Sequence, residues 1–164
     1  MGLDNGIIMI LKTEAAREAY TDFAERCDME VNSFFSTPFV EAAMPISADA
    51  PYEVEICYWR KFWGFRNDCE YFHDNDKYFL SEEYEIEDII DTLSRFMYEP
   101  NWEESEGNQV WGYFEYLPVV AESLVNLHKL RALVSYFEKT DLIMSTSADE
   151  AEDADVVIYT YDSY

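Results

Sequence analysis

Residues 52–58 constrain the fold of this chain more than any other stretch. Tyr52, Val54, Ile56 and Tyr58 alternate there with Glu53, Glu55 and Cys57. Successive side chains of a strand point to opposite faces, so this period of two puts an apolar row on one face and carboxylates on the other. A sheet containing such a strand buries one face and needs helices packed on it. Two further segments suit strands. The run Ile7-Ile8-Met9-Ile10-Leu11 within Gly2–Leu11 reads as a buried one, and Val156–Tyr161 as a closing one.

Helical spacing supplies the covering layer. Thr13 can cap a helix that starts at Glu14, with Ala16, Tyr20, Phe23 and Cys27 as its inner stripe. A second helix is expected from about Arg60 to Phe72, with Phe62, Phe65, Cys69 and Phe72 on one side. Its Gly64 costs about 1 kcal/mol relative to alanine. Ser81 suits an N-cap, and Glu82, Glu83 and Glu85 favour the positive end of the helix dipole that follows. Ile86, Ile89, Ile90, Leu93, Phe96 and Met97 form its stripe, and Pro100 ends it. The longest helix should run from about Leu117 to Glu138 on Val120, Leu124, Leu127, Leu130, Val134 and Phe137. Residues 31–51, with Pro38, Pro45 and Pro51, read as irregular connection, 99–109 as an acidic loop, and 145–155 as a mobile acidic loop. No repeat or linker interrupts the chain. The expectation is one α+β domain over residues 1–164, a small antiparallel or mixed sheet packed with three to four helices.

Charge is the second constraint. The 164 residues carry 35 acids against 11 bases, a formal charge of −24, yet 17% are aromatic, which is ample for a core. Such a surface repels phosphates, so nucleic acid is excluded as a direct partner, whereas a basic protein that binds nucleic acid would be attracted. The chain shows neither a signal-peptide pattern nor an apolar run near the roughly 18 residues of a membrane span, so no membrane partner is expected and the cytoplasm is the expected compartment. Cys27, Cys57 and Cys69 are odd in number and form no CxxC pair, which argues against a disulfide framework.

The acids are also segregated. Residues 82–106 hold ten acids with Arg95 as the one base, residues 141–164 hold seven acids and no base, and residues 107–140 are balanced. Glu87 and Asp91, four apart on a helix, lie about 5–6 Å from each other, close to the spacing of successive phosphates. The candidate partner-binding residues are Glu83, Glu87, Asp88 and Asp91 on the helix, Glu99, Glu103, Glu104 and Glu106 after it, and Asp149, Glu150, Glu152 and Asp153 near the C-terminus. A solvated helix face is the ordinary role of such residues, but solubility alone does not require the segregation.

Catalytic patterns are missing. His73 and His128 are the only histidines, and no HExxH, GxSxG, GxGxxG or P-loop motif occurs, so no enzyme activity, cofactor or metal is expected. Asp74, Asp76 and Glu85 fall at positions 1, 3 and 12 of a calcium loop, but Tyr78 and Phe79 stand where an oxygen ligand and a glycine are needed. The one basic-aromatic cluster, Trp59, Arg60, Lys61 and Arg66, could line a pocket for a small anion or nucleotide. Its simpler role is a strand-to-helix junction with core aromatics. Trp102, Trp111, Tyr113, Phe114 and Tyr116 border the acidic loop, as interface anchors or as core.

Met1-Gly2-Leu3-Asp4, followed later by Tyr58-Trp59-Arg60-Lys61, resembles a group of small proteins encoded in bacteriophage and prophage genomes. Members typically begin MGLD, run a strand into YWRK and a helix, and continue with an acidic helix and a short closing strand. The order of elements here is similar over most of the chain, although Phe62-Trp63-Gly64-Phe65 departs from the usual continuation. The resemblance implies a phage-like origin, and small acidic phage proteins include DNA-mimic inhibitors of restriction enzymes and of CRISPR effectors. The leading expectation is therefore a phage-encoded inhibitor of a bacterial defence nuclease, of anti-CRISPR or anti-restriction type, that presents its carboxylates to a basic DNA-binding cleft in the host cytoplasm. The alternatives are a small-anion or nucleotide-binding protein using the Trp59–Arg66 junction, and a homodimeric accessory protein whose charge keeps it soluble.

Overall fold

The computed structural model describes residues 3–31, 34–35, 52–60, 62–98 and 116–163. Four strands, β1 (Asp4–Leu11), β2 (Tyr52–Arg60), β3 (Lys77–Phe79) and β4 (Val156–Ser163), form one sheet in the order β2-β1-β4-β3. All three pairings are antiparallel. The four helices are α1 (Glu14–Arg26), α2 (Trp63–Asp68), α3 (Glu83–Tyr98) and α4 (Tyr116–Lys139). The fold is α+β. β1 and β4 take the centre because they are apolar on both faces. Ile7, Met9 and Leu11 join the helices in one core, and Ile8 and Val157 are buried on the opposite face.

The alternation of β2 is broken once. Ile7 pairs with Cys57 and Ile8 with Glu55, which leaves Ile56 as an extra residue on β2. Ile56 and Cys57 are both buried as a result, and the pattern inverts beyond them. Trp59 continues the core row of Val54, while Tyr58 turns to the carboxylate face and donates its hydroxyl to Asp4 Oδ1 at 2.7 Å. The expected placement of Tyr58 with Val54, and of Cys57 with Glu53, is corrected by this bulge.

Helix ends also differ from the expected ones. Thr13 does cap α1, its Oγ1 accepting from the Ala16 N–H at 3.2 Å. The inner stripe is Ala16, Tyr20 and Ala24, with Phe23 partly buried, whereas Cys27 is exposed at the C-cap just before Asp28, whose φ of 57° ends the helix. α2 stops at Asp68, since Cys69 is extended, yet Phe62, Phe65, Cys69 and Phe72 are all buried as their spacing implied. A turn through Asp74 and Asn75, at φ 58° and 55°, then leads into β3, a strand too short to leave a period in the sequence. Glu85 rather than Ser81 supplies the side-chain cap of α3. Buried at 4% exposure, it reaches back to accept from the Ser81 and Glu82 N–H groups, both at 3.0 Å. α4 buries a broad stripe from Val119 to Phe137 because it packs on α3, on α1 and on β2. Among the described residues no helix is long and apolar enough to cross a membrane.

Gly6 is required by its neighbours. A Cβ at this position would meet Tyr161 Oη at 2.5 Å and the Cys57 carbonyl oxygen at 2.6 Å, because the tyrosine ring lies across the strand. Gly6→Ala should therefore cost about 1–3 kcal/mol, read from the midpoint and slope of urea unfolding. An unchanged midpoint would contradict this close approach.

Candidate functional site

The apolar stripe of α3 fixes where its acids go. Ile86, Ile89, Ile90 and Leu93 are buried, which turns Glu87, Asp88 and Asp91 outward, all exposed, with Glu83 half-buried. Two of these carboxylates have partners. Glu87 Oε1 lies 3.5 Å from Arg131 Nη1, brought there by the packing of α4 on α3, and Asp88 Oδ2 accepts the Tyr71 hydroxyl at 2.8 Å. The unpaired array expected from spacing alone is thus partly neutralised. Burial, and then the hydrogen bond to Asp88, push the Tyr71 hydroxyl well above its ordinary range.

Residues 145–155, expected as a mobile loop, form a succession of turns with defined contacts. Glu150 Oε2 accepts from the Thr146 N–H at 3.3 Å and from its hydroxyl. The Lys12 ammonium donates to the carbonyls of Ala151 and Glu152. Asp155 accepts the Thr13 hydroxyl at 2.7 Å and the Ile143 N–H at 2.9 Å, which ties the tract to the start of α1. Asp149, Glu150, Glu152 and Asp153 are exposed on these turns.

Strand β3 brings the start of α3 near the turns before β4. Among the described residues β3 pairs with β4 alone, so the start of α3 after it and the turns before β4 flank the same edge. A groove of about 650 Å³ lies between them, lined by Asp76–Phe79, by Glu82 and Tyr84, and by Thr146–Ala148. Tyr78 and Tyr84 are 38% and 61% exposed along it. Its exposed acids are Asp76 and Glu82, while Glu83, Glu87, Asp88, Asp91, Asp149, Glu150, Glu152 and Asp153 do not line it.

The chain matches no protein-family model, no curated protein and no solved structure.

Trp59, Arg60 and Arg66, the described residues of the basic-aromatic junction, point in different directions. Trp59 is fully buried, donates its indole N–H to Ser123 Oγ at 3.0 Å, and packs on Phe65 and Phe72. Arg60, one residue on, points to the other side of the sheet, 4.0 Å from Asp4. Arg66 reaches Asp162 through Nη2 at 3.0 Å and Nε at 3.2 Å. The bulge at Ile56 is the physical cause, since it turns Trp59 inward and Arg60 outward. Lys61 lies outside the described residues, as do Glu99, Glu103, Glu104 and Glu106 and the aromatics Trp102, Trp111, Tyr113 and Phe114.

Sequence reasoning missed two groups. Asp162 is a buried carboxylate that also accepts from Asn5 Nδ2 at 2.6 Å and from the Asn75 N–H at 3.1 Å. Burial alone would raise its pKa, but the bonds from Arg66, Asn5 and Asn75 outweigh it and hold the carboxyl below the usual range. On the face of the sheet opposite the core, Glu55 has one carboxylate oxygen buried without a hydrogen-bond partner. Burial, and then the neighbouring Glu53, raise its carboxyl. The period-two pattern pointed to Glu53 and Glu55, while nothing local marked Asp162. Burial pushes the Cys69 thiol up to about 12 and also raises the Cys57 thiol well above its ordinary range. His73 and His128 are exposed, and among the described residues no cluster of His, Cys, Asp and Glu could hold a metal ion.

Proposed function

We propose that this is a binding protein of the phage-inhibitor type, whose acidic surface occupies the DNA-binding cleft of a basic host protein such as a defence nuclease. The observation that carries this reading is the exposure of the segregated acids: Glu87, Asp88 and Asp91 on α3 and Asp149, Glu150, Glu152 and Asp153 on the 145–155 turns all face solvent. With a formal charge of −24, such a surface projects a field that attracts a cationic cleft and accelerates encounter. Duplex DNA meets such clefts through phosphates, and carboxylates at comparable spacing compete for the same lysines and arginines. Capture from a bacterial lysate tests the reading. The protein should retain a nucleic-acid-binding partner at about 50 mM salt and lose it towards 500 mM, because exposed charges are screened. Retention indifferent to salt, or partners that bind no nucleic acid, would contradict it.

A charge variant separates binding from folding. Changing Glu83 and Glu87 to glutamine and Asp91 to asparagine touches exposed or half-exposed groups, of which Glu87 alone has an ion pair with a described base. Stability should change by less than about 1 kcal/mol, as exposed pairs contribute little. Association with the captured partner should slow by about tenfold, the lower end of what electrostatic steering provides. Equal association rates at low salt would remove α3 from the binding surface.

A further inference from the structure

We infer that the groove beside β3 receives an extended, arginine-bearing segment of the protein partner, with Tyr78 and Tyr84 as its anchors. This rests on the binding reading and names its contact. Among the described residues the large exposed apolar side chains are Tyr78, Tyr84, Val125 and Ile143, and the two aromatic ones line this groove. Tyr78 is held in place, its ring meeting that of Tyr71 edge-on at 4.8 Å and 75°. An exposed aromatic that is already ordered loses little freedom on binding, which is how interface anchors work.

Charge then selects the occupant. Asp76 and Glu82 stand on the groove, and Lys77, the base of β3, is engaged elsewhere with its ammonium 4.5 Å from the Tyr159 ring centre. A guanidinium is planar and weakly hydrated, so it can stack on a tyrosine face while its fork meets a carboxylate. An ammonium makes the second contact less well and the first not as a stack. β3 has three residues and, among the described residues, no strand beyond it in the sheet, so it can offer an extended segment a few main-chain bonds. So short an edge leaves selection to the side chains. A second copy of this chain is a poor occupant, since both copies bring the same acids to the contact.

The test uses the full chain, labelled with nitrogen-15, and a capped peptide alternating arginine and serine, at about 50 mM salt. Amide shifts should concentrate in residues 76–85 and 146–148, and the matching lysine-serine peptide should bind more weakly. Tyr84→Ala, at an exposed position, should weaken the arginine peptide by about three- to fivefold, and Tyr84→Phe should restore it. Shifts spread evenly over all the acidic surfaces, or equal binding by Tyr84→Ala, would overturn the inference. So would concentration-dependent shifts at the same residues without peptide, which would assign the groove to a second copy. The peptide result is independent of lysate capture. Localised arginine binding in a protein that retains no nucleic-acid-binding partner would uphold the groove and end the nuclease-inhibitor reading. Capture together with unlocalised peptide binding would do the reverse.

Discussion

Arg66→Ala should cost about 3–5 kcal/mol at pH 7, the penalty for stripping a buried charge of its partner. Asp162 has no side-chain exposure, and Arg66 supplies two of its hydrogen bonds. Asn5 and the Asn75 N–H would remain, too few to solvate an ionised carboxylate in that position. The pH dependence gives the sharper signature. In the parent the folded carboxyl lies below its unfolded value of about 4, so its contribution is complete above that value and is lost as pH falls through the folded one. Without Arg66, burial dominates and the folded value should move above the unfolded one. The variant then favours the protonated carboxyl and gains relative to the parent as pH falls. Denaturant unfolding at pH 7 and at about pH 4.5 should show the deficit shrinking in acid. A deficit of the same size at both would mean that Arg66 acts by packing and not through Asp162.

Trp59→Ala should be of similar size, about 3–5 kcal/mol, because it empties a fully buried indole site. The cavity would open between Phe65, Phe72 and α4, where Ser123 accepts the indole N–H. Trp59→Phe should cost less, about 1–2 kcal/mol, since most of the volume stays and one hydrogen bond is lost. Both are read by denaturant unfolding. A Trp59→Ala protein with parental stability would place the indole outside the core and reopen the junction as a ligand pocket.

These two residues show what was legible in the sequence and what was not. Periodicity revealed β1, β2, β4 and the three long helices, because each presents one apolar face over several turns or pleats. β3 has three residues and no period to detect. The bulge at Ile56 was equally silent, yet that one extra residue decides that Trp59 is core and Arg60 is not. Local spacing suggested a basic-aromatic pocket, and register puts Trp59 and Arg60 on opposite sides of the sheet. Charge segregation did mark Glu83 to Asp91 and Asp149 to Asp153, since composition needs no geometry. That the start of α3 and the turn at Thr146–Ala148 border one groove depends on strand order, with β3 paired to β4. Asp162 was hidden for a similar reason. Its partners Asn5, Arg66 and Asn75 come from three distant segments.

Competition with DNA tests the acidic-surface reading most directly. With a captured partner in hand, labelled duplex DNA and this protein should exclude one another. The apparent affinity of the protein should fall in proportion to DNA occupancy, and the Glu83, Glu87 and Asp91 amide variant should compete less well. A ternary complex, in which the partner holds DNA and this protein together at undiminished affinity, would contradict occupation of the DNA cleft.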